Sequence, residues 1–547
     1  MNYQEIKKEW FVKCENLDLL NELKSLTDEK EVEDRFYKNL EFGTAGIRGV
    51  LGVGTNRMNV YTVGQVIQAL VNKMKNNNEK KVVIGYDMRH KSKEFAELCA
   101  SILSRNGIEV HIFEDLTATP ILSYSVIKLK ADAGIMITAS HNPKEYNGLK
   151  LYSSDGTQIG EEEARVMAEY IKKVDIFEVD HCIDLKQINY VKDSLIEDYM
   201  RKATSVSAEP KNKDLNIVYT PLSGVGFAFI KKALEGKGYK NVHFVEEQIN
   251  PDPDFSTVPS PNPENKESFS LAIKEGLKYN SDVLISTDPD ADRVGVCVKH
   301  NGKYVLLSGN AVGTLLSHYI ISKLYSENSL PENSKIIKSI VSDDLVEKVA
   351  SRYNVSVSSV HVGFKNVYSL ANKLEKEKSS NFIMGFEESL GYGIGTNLAK
   401  DKDAISAVVA ILDMVSYYST HNKTLVDVYR EIQEIHGFHS NHLESFKLEG
   451  KDGLDKMRKL VDGFKNHPIA KIGYSKLTET IDYLKDDTGL EKQNVIKFSY
   501  DNGSWFVVRP SGTEPKLKFY MFSVGKTEKE SKFNLEKMKK EITKKVK

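Results

Sequence analysis

Several α/β domains followed by a smaller α+β domain is the architecture this sequence predicts, and three observations carry the prediction. At 547 residues the chain is too long for one hydrophobic core, and three or four domains are expected. Through most of it short apolar runs alternate with helix-length periodic segments, the pattern of parallel sheets covered by helices. After about residue 438 the texture changes to strand pairs joined by tight turns, with a hairpin signal at Asp501-Asn502-Gly503-Ser504.

Residues 1–40 are charged and helical in pattern. In the segment Glu41–Gly49, Gly43, Gly46 and Gly49 allow close backbone approach, and Arg48 offers a fork suited to phosphate. A Gly-rich turn with a surface arginine is the plainer reading of the same residues. Val63, Val66, Ile67, Leu70 and Met74 fall at helical spacing, Lys81–Tyr86 reads as a strand, and Phe95, Leu98, Cys99 and Ile102 mark a helix that Gly107 stops. Ile108–Phe113 is a strand. Gly134–Thr138 is a buried strand, and Pro143 forces a turn after it, leaving Ser140 in a tight loop at a strand end, where α/β proteins place chemistry. Asn147-Gly148, flanked by Tyr146 and Leu149, is a hairpin signal that would fold Lys150 back towards Ser140.

A polar, helix-like stretch runs to about Lys202, and Glu209–Lys213 reads as a linker. Leu215–Thr220 opens a second strand series. Five prolines between Pro251 and Pro263 require an ordered loop or a flexible crossing. Val283–Thr287 is a strand running into Asp288-Pro289-Asp290-Ala291-Asp292-Arg293. A third series starts near Gly309, with strands at Ile336–Val341 and Phe382–Gly385, a loop at His361–Lys365 and an apolar-faced helix over Ala404–Tyr418. In the tail, Val495–Tyr500, Trp505–Val508 and Leu517–Val524 are strands, and the closing lysine-rich helix reads as a solvated face.

Composition narrows the function classes. Hydrophobic residues at 40% and charged residues at 28% describe a soluble globular protein. With 76 basic and 77 acidic residues the net charge is −1, so no basic surplus exists for a nucleic-acid backbone. Cys14, Cys99, Cys182 and Cys297 lie far apart without a C-x-x-C and support neither a zinc site nor a disulfide framework. No run reaches the ~18 apolar residues of a membrane span. Charges in the first ten residues, Met1–Trp10, break the apolar core a signal peptide needs, so a cytoplasmic location is expected.

Asp288, Asp290 and Asp292 place three carboxylates in five residues. Unpaired they would repel one another, and hard oxygen donors suit Mg2+. An EF-hand does not fit, because Arg293 stands at its glycine position and Lys299 at its final glutamate position. Glu387 and Ser389 offer mixed partners for a hydroxyl-rich ligand such as a sugar, or form an acidic helix N-terminus, which is the plainer reading of that piece alone. Arg509-Pro510-Ser511-Gly512-Thr513-Glu514-Pro515, with Lys518 close behind, is either an anion nest or a plain turn between strands.

Taken together and in order, these stretches resemble the α-D-phosphohexomutase superfamily over nearly the whole chain. Phe42–Gly49 and the length are most similar to the long bacterial phosphoglucomutase/phosphomannomutase type, with similarity also to phosphopentomutase-like members. Thr138–Pro143 resembles the phosphoserine loop, Asp288–Arg293 the magnesium loop, Glu387–Ser389 the sugar loop and Arg509–Pro515 the phosphate loop. The resemblance implies three similar α/β domains with mixed sheets and a C-terminal α+β domain around one central cleft. Their expected spans are 1–205 (phosphoserine), 206–312 (metal), 313–437 (sugar) and 438–547 (phosphate).

The implied reaction interconverts glucose 1-phosphate and glucose 6-phosphate through a phosphoserine and a glucose 1,6-bisphosphate, which also activates the enzyme. Implied catalytic residues are Ser140, Arg48, His141, Lys150 and Lys402. Glu387, Ser389, Gly363, Lys365, Arg293, Arg509, Ser511, Gly512, Thr513 and Lys518 would bind substrate. Mg2+ would sit on Asp288, Asp290, Asp292 and a phosphoserine oxygen at Ser140. The chain departs from the family twice. Gly391-Tyr392 stands where some members carry an acid/base histidine, so Lys402 of Lys402-Asp403 is the first acid/base candidate and Lys150 the second. Val362 stands where many relatives carry threonine in the sugar-orienting loop. Rival readings are the same chemistry on mannose or pentose phosphates, a non-catalytic phosphosugar-binding protein, and a phosphatase. The expected partner is a small phosphosugar, without nucleic acid or membrane, on a monomer or homodimer.

Overall fold

Four sheets organise the residues that the computed structural model describes, 2–44, 46–448, 453–510 and 516–546. The chain divides into two units. One comprises Met1–Gly309, Tyr368–Lys376 and Ser389–Asn422, the other Asn310–Val367, Glu377–Glu388 and Lys423–Lys547.

In the first unit, β1 (Ile47–Val50), β2 (Lys81–Tyr86), β3 (Glu109–Ile112), β4 (Ala133–Ile137), β5 (Tyr146–Ser153) and β6 (Asn189–Tyr190) form a mixed sheet in the order β1-β5-β4-β2-β3-β6. β2, β3, β4 and β6 run parallel, whereas β5 is antiparallel to both β4 and β1. The helix Val60–Asn77 starts where the Asn59 side chain accepts the N–H groups of Tyr61 and Thr62 at 3.1 and 3.0 Å. Its stripe of Val66, Ile67 and Leu70 packs with Leu98 and Ile102 of the helix Ser92–Arg105 onto Ile84, Val110 and Ile135. Each such side chain contributes roughly 1.5–3 kcal/mol by leaving water. Gly107, at φ +80°, ends the second helix as its sequence predicts. Three N-terminal helices, Tyr3–Lys13, Leu17–Ser25 and Glu29–Phe36, bury Trp10 against Phe36 and Tyr61, with ring centroids 6.0 and 5.2 Å apart.

The second sheet is also mixed. β7 (Asn216–Thr220), β8 (Asn241–Phe244), β9 (Val283–Thr287), β10 (Val294–His300) and β11 (Lys303–Leu306) lie in the order β11-β10-β9-β7-β8, with β7, β8 and β9 parallel. The Pro251–Pro263 segment is an irregular loop anchored by the buried Phe255 and Val258.

In the second unit β12 (Ser334–Ser339) pairs in parallel with β13 (Ser356–Val360) on one side and β14 (Asn381–Glu387) on the other. β15 (Gly391–Ile394) belongs to the first unit, as does the helix Ala404–Ser419. Fourteen of that helix's 16 residues are buried, so it is covered all round rather than on the single apolar face its sequence predicts. The C-terminal sheet is antiparallel. β16 (Phe438–Lys447), β17 (Lys471–Ile472), β18 (Ser475–Asp482), β19 (Ile496–Tyr500), β20 (Trp505–Pro510) and β21 (Lys516–Gly525) take the order β16-β21-β20-β19-β18-β17. β19 and β20 form the hairpin expected at Asp501–Ser504, with Gly503 at φ +82°. Phe464, Phe498, Phe506 and Phe519 form its core. The closing helix Glu528–Val546 corrects an expectation. Leu535, Met538 and Ile542 recur at steps of three and four among the lysines, so they share one face, and all three are buried. Among the described residues no helix is long and apolar enough to cross a membrane.

Candidate active site

Every residue of β4 is buried, and the chain leaves it through Thr138, whose hydroxyl accepts the Ser140 N–H at 2.8 Å. Ser140 then takes φ +54° and is 3% exposed. The reversal runs over residues 138–145 and β5 returns beside β4, placing Lys150 opposite Met136. Asn147-Gly148 is therefore not a turn: both residues lie inside β5, opposite Gly49 and Arg48. The physical reason lies in what each contacts. The buried Asn147 side chain donates to His90 O at 2.9 Å and Ser92 Oγ at 3.0 Å. A β-carbon on Gly148 would meet Thr138 O at 2.7 Å and Ile47 O at 2.9 Å, so glycine serves close strand approach here.

The β9–β10 turn carries Asp288, Asp290 and Asp292, all buried, with ligand atoms within 4.8 Å of one another. Asp288 Oδ2 accepts the Ser140 hydroxyl at 3.0 Å, and its Oδ1 accepts the N–H groups of Asp292 and Arg293 at 3.0 and 2.9 Å. Asp290 Oδ2 accepts from Thr119 Oγ1 at 2.8 Å and Lys150 Nζ at 2.9 Å. Asp292 Oδ2 lies 3.2 Å from Lys402 Nζ and 3.5 Å from Lys150 Nζ. The remaining oxygens, Asp290 Oδ1 and Asp292 Oδ1, have no hydrogen-bond partner among the described residues. Buried oxygens without donors, grouped this closely, fit a hard divalent cation.

Electrostatics separates the three carboxylates. Burial, reinforced by Asp292 and Asp290, pushes Asp288 well above the usual carboxylate range. Burial acts on Asp290 in the same sense, but Lys150, Thr119 and Lys402 hold it well below that range. Burial would lower Lys150; Asp290 and Asp292 outweigh it and raise the ammonium. His141 Nδ1 lies 3.3 Å from Ser140 Oγ, and burial, with Arg293 and Arg48 nearby, keeps its imidazole neutral at ordinary pH. Arg48 Nη1 donates to Asn142 Oδ1 at 3.3 Å, on the Ser140 turn.

Lys402 is placed by residues that, Asp403 apart, sequence reasoning missed. Asp401 Oδ1 accepts the Lys402 N–H at 2.8 Å and lies 3.4 Å from Lys402 Nζ, while its Oδ2 accepts Tyr152 OH and Gln158 Nε2, both at 2.8 Å. Asp403 caps the helix Ala404–Ser419, accepting the N–H groups of Ile405 and Ser406 at 3.0 Å and Tyr199 OH at 2.7 Å. Arg293 Nη1 reaches Ser389 O at 3.2 Å, and Arg293 pairs through a bridge with Gly391 of β15. Ser140, His141, Arg48, Lys150, the three aspartates, Arg293, Lys402 and Ser389 thus gather within the first unit.

The remaining candidates belong to the second unit. Glu387 ends β14, with residues 388–390 in a turn rather than the helix start its sequence allows. Its Oε1 accepts the Gly363 N–H at 2.6 Å. Gly363, at φ +118°, precedes the helix Phe364–Glu377, in whose first turn Lys365 lies. Arg509 of β20 stands opposite Lys518 of β21. Ser511, Gly512 and Thr513 lie outside the described residues.

Family models match along the chain in order: phosphoglucomutase/phosphomannomutase α/β/α domain I over residues 39–176, domain II over 197–302, domain III over 308–435 and the C-terminal domain over 458–542. Phosphoglucomutase of Staphylococcus aureus strain MRSA252 is 36% identical over 531 residues, covering 94% of this chain and 95% of that one. Among solved structures, a putative phosphomannomutase from Thermus thermophilus superposes with TM-score 0.71 at 22% identity, over 92% of this chain and 99% of that one. The open form of pp63/parafusin from Paramecium gives TM-score 0.71 at 18% identity, over 93% and 95%. Four domains, three of α/β type and a C-terminal one built on an antiparallel sheet, are their shared architecture, and this chain belongs to the phosphoglucomutase/phosphomannomutase family.

Proposed function

We propose that the chain is a phosphohexomutase that interconverts glucose 1-phosphate and glucose 6-phosphate, with Ser140 as phosphoryl carrier and glucose 1,6-bisphosphate as intermediate and activator. One observation carries the reading: Ser140 Oγ donates at 3.0 Å to Asp288, beside a carboxylate cluster braced by Lys150 and Lys402. The phosphoglucomutase relative supports glucose as the sugar.

Asp288, Asp290 and Asp292 would hold Mg2+, which when bound neutralises charge on a transferring phosphoryl group. Arg48, Arg293 and Lys150 place three cationic side chains around Ser140, suited to the charge that develops as its phosphoryl group leaves. Lys402 is the first acid/base candidate: as the neutral amine it takes the proton of the attacking sugar hydroxyl, and as the ammonium it returns that proton in the reverse direction. Lys150 is the second candidate, although Asp290 and Asp292 favour its ammonium. The neutral His141 ring beside Ser140 Oγ orients that oxygen. Glu387, Ser389, Gly363 and Lys365 bind the sugar, and Arg509, Ser511, Gly512, Thr513 and Lys518 hold the phosphate that is not reacting. These roles follow the sequential domains 1–205, 206–312, 313–437 and 438–547. A cytoplasmic monomer or homodimer fits the net charge of −1 and the free thiols of Cys14, Cys99, Cys182 and Cys297.

Coupled assays with glucose, mannose and ribose 1-phosphates, each with and without glucose 1,6-bisphosphate, test the reading. Highest kcat/KM for the glucose ester is expected. Preference for mannose or ribose would reassign the substrate, release of free phosphate would mark a phosphatase, and binding without turnover a phosphosugar-binding protein.

A further inference from the structure

Arg89 follows β2 and lies buried against the Ser140 turn, yet the reaction just described leaves it without a role. Its guanidinium collects three carbonyls of that turn and that of Tyr146, the first residue of β5. Nη2 donates to Ser140 O and Asn142 O, each at 2.5 Å, and Nη1 donates to Pro143 O at 2.9 Å and Tyr146 O at 3.1 Å. Asp87 fixes the arginine: its Oδ2 lies 3.4 Å from Arg89 Nε, and its Oδ1 accepts the Arg89 N–H at 3.0 Å and Ser92 Oγ at 2.7 Å. From another side Phe255 presents its ring 5.0 Å from the guanidinium carbon.

Phe255 belongs to the Pro251–Pro263 loop, a feature of the sequence that the reaction also leaves unused. It is 4% exposed and held at φ +47°. Its neighbour Asp254 accepts from Lys144, on the same turn, at 3.3 Å and lies 3.2 Å from His90 Nε2. The turn is therefore held from the end of β2 by Arg89 and from the proline loop by Phe255 and Asp254.

The turn has only a few hydrogen bonds of its own, such as Asn142 N–H to Ala139 O and Tyr146 N–H to Pro143 O, each at 3.1 Å, and a displacement of about 1 Å at a reacting atom costs on the order of 100-fold in rate. We propose that Arg89, clamped between Asp87 and Phe255, is a positioning residue for phosphoryl transfer: it pins the carbonyl of Ser140 itself and those of Asn142, Pro143 and Tyr146 after it, and so fixes where Oγ points. The proposal rests on Ser140 as phosphoryl carrier. A planar five-donor fork can serve four carbonyls at once, whereas a lysine ammonium has three donors and no fixed plane.

The test uses the full-length protein as wild type, Arg89→Lys and Phe255→Leu. Each is loaded with glucose 1,6-bisphosphate, followed by intact mass, and mixed with excess glucose 1-phosphate in a rapid-quench single turnover. The first-order loss of phosphoserine does not depend on the fraction of folded protein, so a merely structural defect leaves it unchanged. For Arg89→Lys the constant should fall about 100-fold, with the half-saturating sugar phosphate changed by less than about threefold. For Phe255→Leu it should fall several-fold. A folded variant that the bisphosphate cannot load supports the proposal in the same way. Transfer at the wild-type rate in Arg89→Lys would overturn it; if that variant does not fold, wild-type transfer in Phe255→Leu overturns it instead. Wild-type protein that never takes up phosphate at Ser140 would refute the carrier reading itself, a distinct result.

Discussion

Ser140 is held at φ +54°, in the left-handed region that costs a residue bearing a β-carbon roughly 1–2 kcal/mol. Losing the hydroxyl should remove the phosphoryl carrier, whereas losing the β-carbon as well should relieve the backbone. Ser140→Ala and Ser140→Gly are both expected to lose mutase turnover and to show no phosphorylated mass. The glycine variant should be more stable than the alanine variant by roughly 1 kcal/mol. Thermal melts of the two unphosphorylated variants check this, and an alanine variant as stable as the glycine one would mean an unstrained turn. The aspartates make a second expectation. Asp290 Oδ1 and Asp292 Oδ1 lack hydrogen-bond partners among the described residues, so Asp290→Asn keeps the shape but removes a charged donor. Calorimetry should find Mg2+ affinity lowered at least about tenfold, some 1.4 kcal/mol. EDTA should abolish wild-type turnover and Mg2+ restore it; full activity of Asp290→Asn in EDTA would defeat the assignment. The aspartates were legible because three carboxylates at alternate positions after an apolar strand have few other uses. Arg89 was not, because its partners are backbone carbonyls of a turn some 50 residues away, and residue types do not report which carbonyls a distant turn leaves unpaired.

At the scale of elements, the α/β alternation was legible because the middles of β2, β4 and β9 are buried on both faces and read as short apolar runs over residues 82–84, 134–137 and 283–285. Asn147-Gly148 misled because the pair that favours a tight turn also serves a close strand crossing, and only the neighbours at Thr138 and Ile47 distinguish the two. In the second unit the loop after β12 meets β19 through charge. Lys338, buried, donates to Asp344 at 2.6 Å and lies 3.3 Å from Glu347, while Lys497 donates to Asp344 at 3.5 Å. Burial alone would raise Asp344, but Lys338 and Lys497 hold it down at about 2. Its folded value lies below the unfolded value of about 3.9. The stabilisation is therefore complete above about pH 4 and is lost as pH falls through the folded value of about 2. Asp344→Asn should cost roughly 2 kcal/mol near neutral pH, the worth of a hydrogen bond to a charged group. The gap in melting temperature between the variant and wild type should close as pH drops from about 4 towards 2, and a gap independent of pH would count against the pairing.

For the whole molecule the proposed mechanism sets a chemical constraint: its bisphosphate would have to offer each of its two phosphates to Ser140 in turn. The phosphate that is not reacting then needs one holding site that serves both orientations of the sugar. Arg509, at the end of β20, faces Lys518 across the β20–β21 pair and stands next to Ser511 and Thr513 in sequence, a fork, an ammonium and two hydroxyls in one short stretch. A charge-assisted contact of this kind is worth roughly 1.5–3 kcal/mol, about 10–150-fold in binding. Arg509→Ala should therefore reduce kcat/KM for glucose 1-phosphate and for glucose 6-phosphate by similar factors. Phosphate already on Ser140 should persist in this variant, because the proposed phosphoserine lies among residues of the first unit and Arg509 belongs to the second. Steady-state kinetics in both directions, with intact mass of the phosphorylated variant, decide the matter. A large loss for one ester with the other untouched would mean that Arg509 serves a single orientation, and the bisphosphate would then need a second anion site of its own.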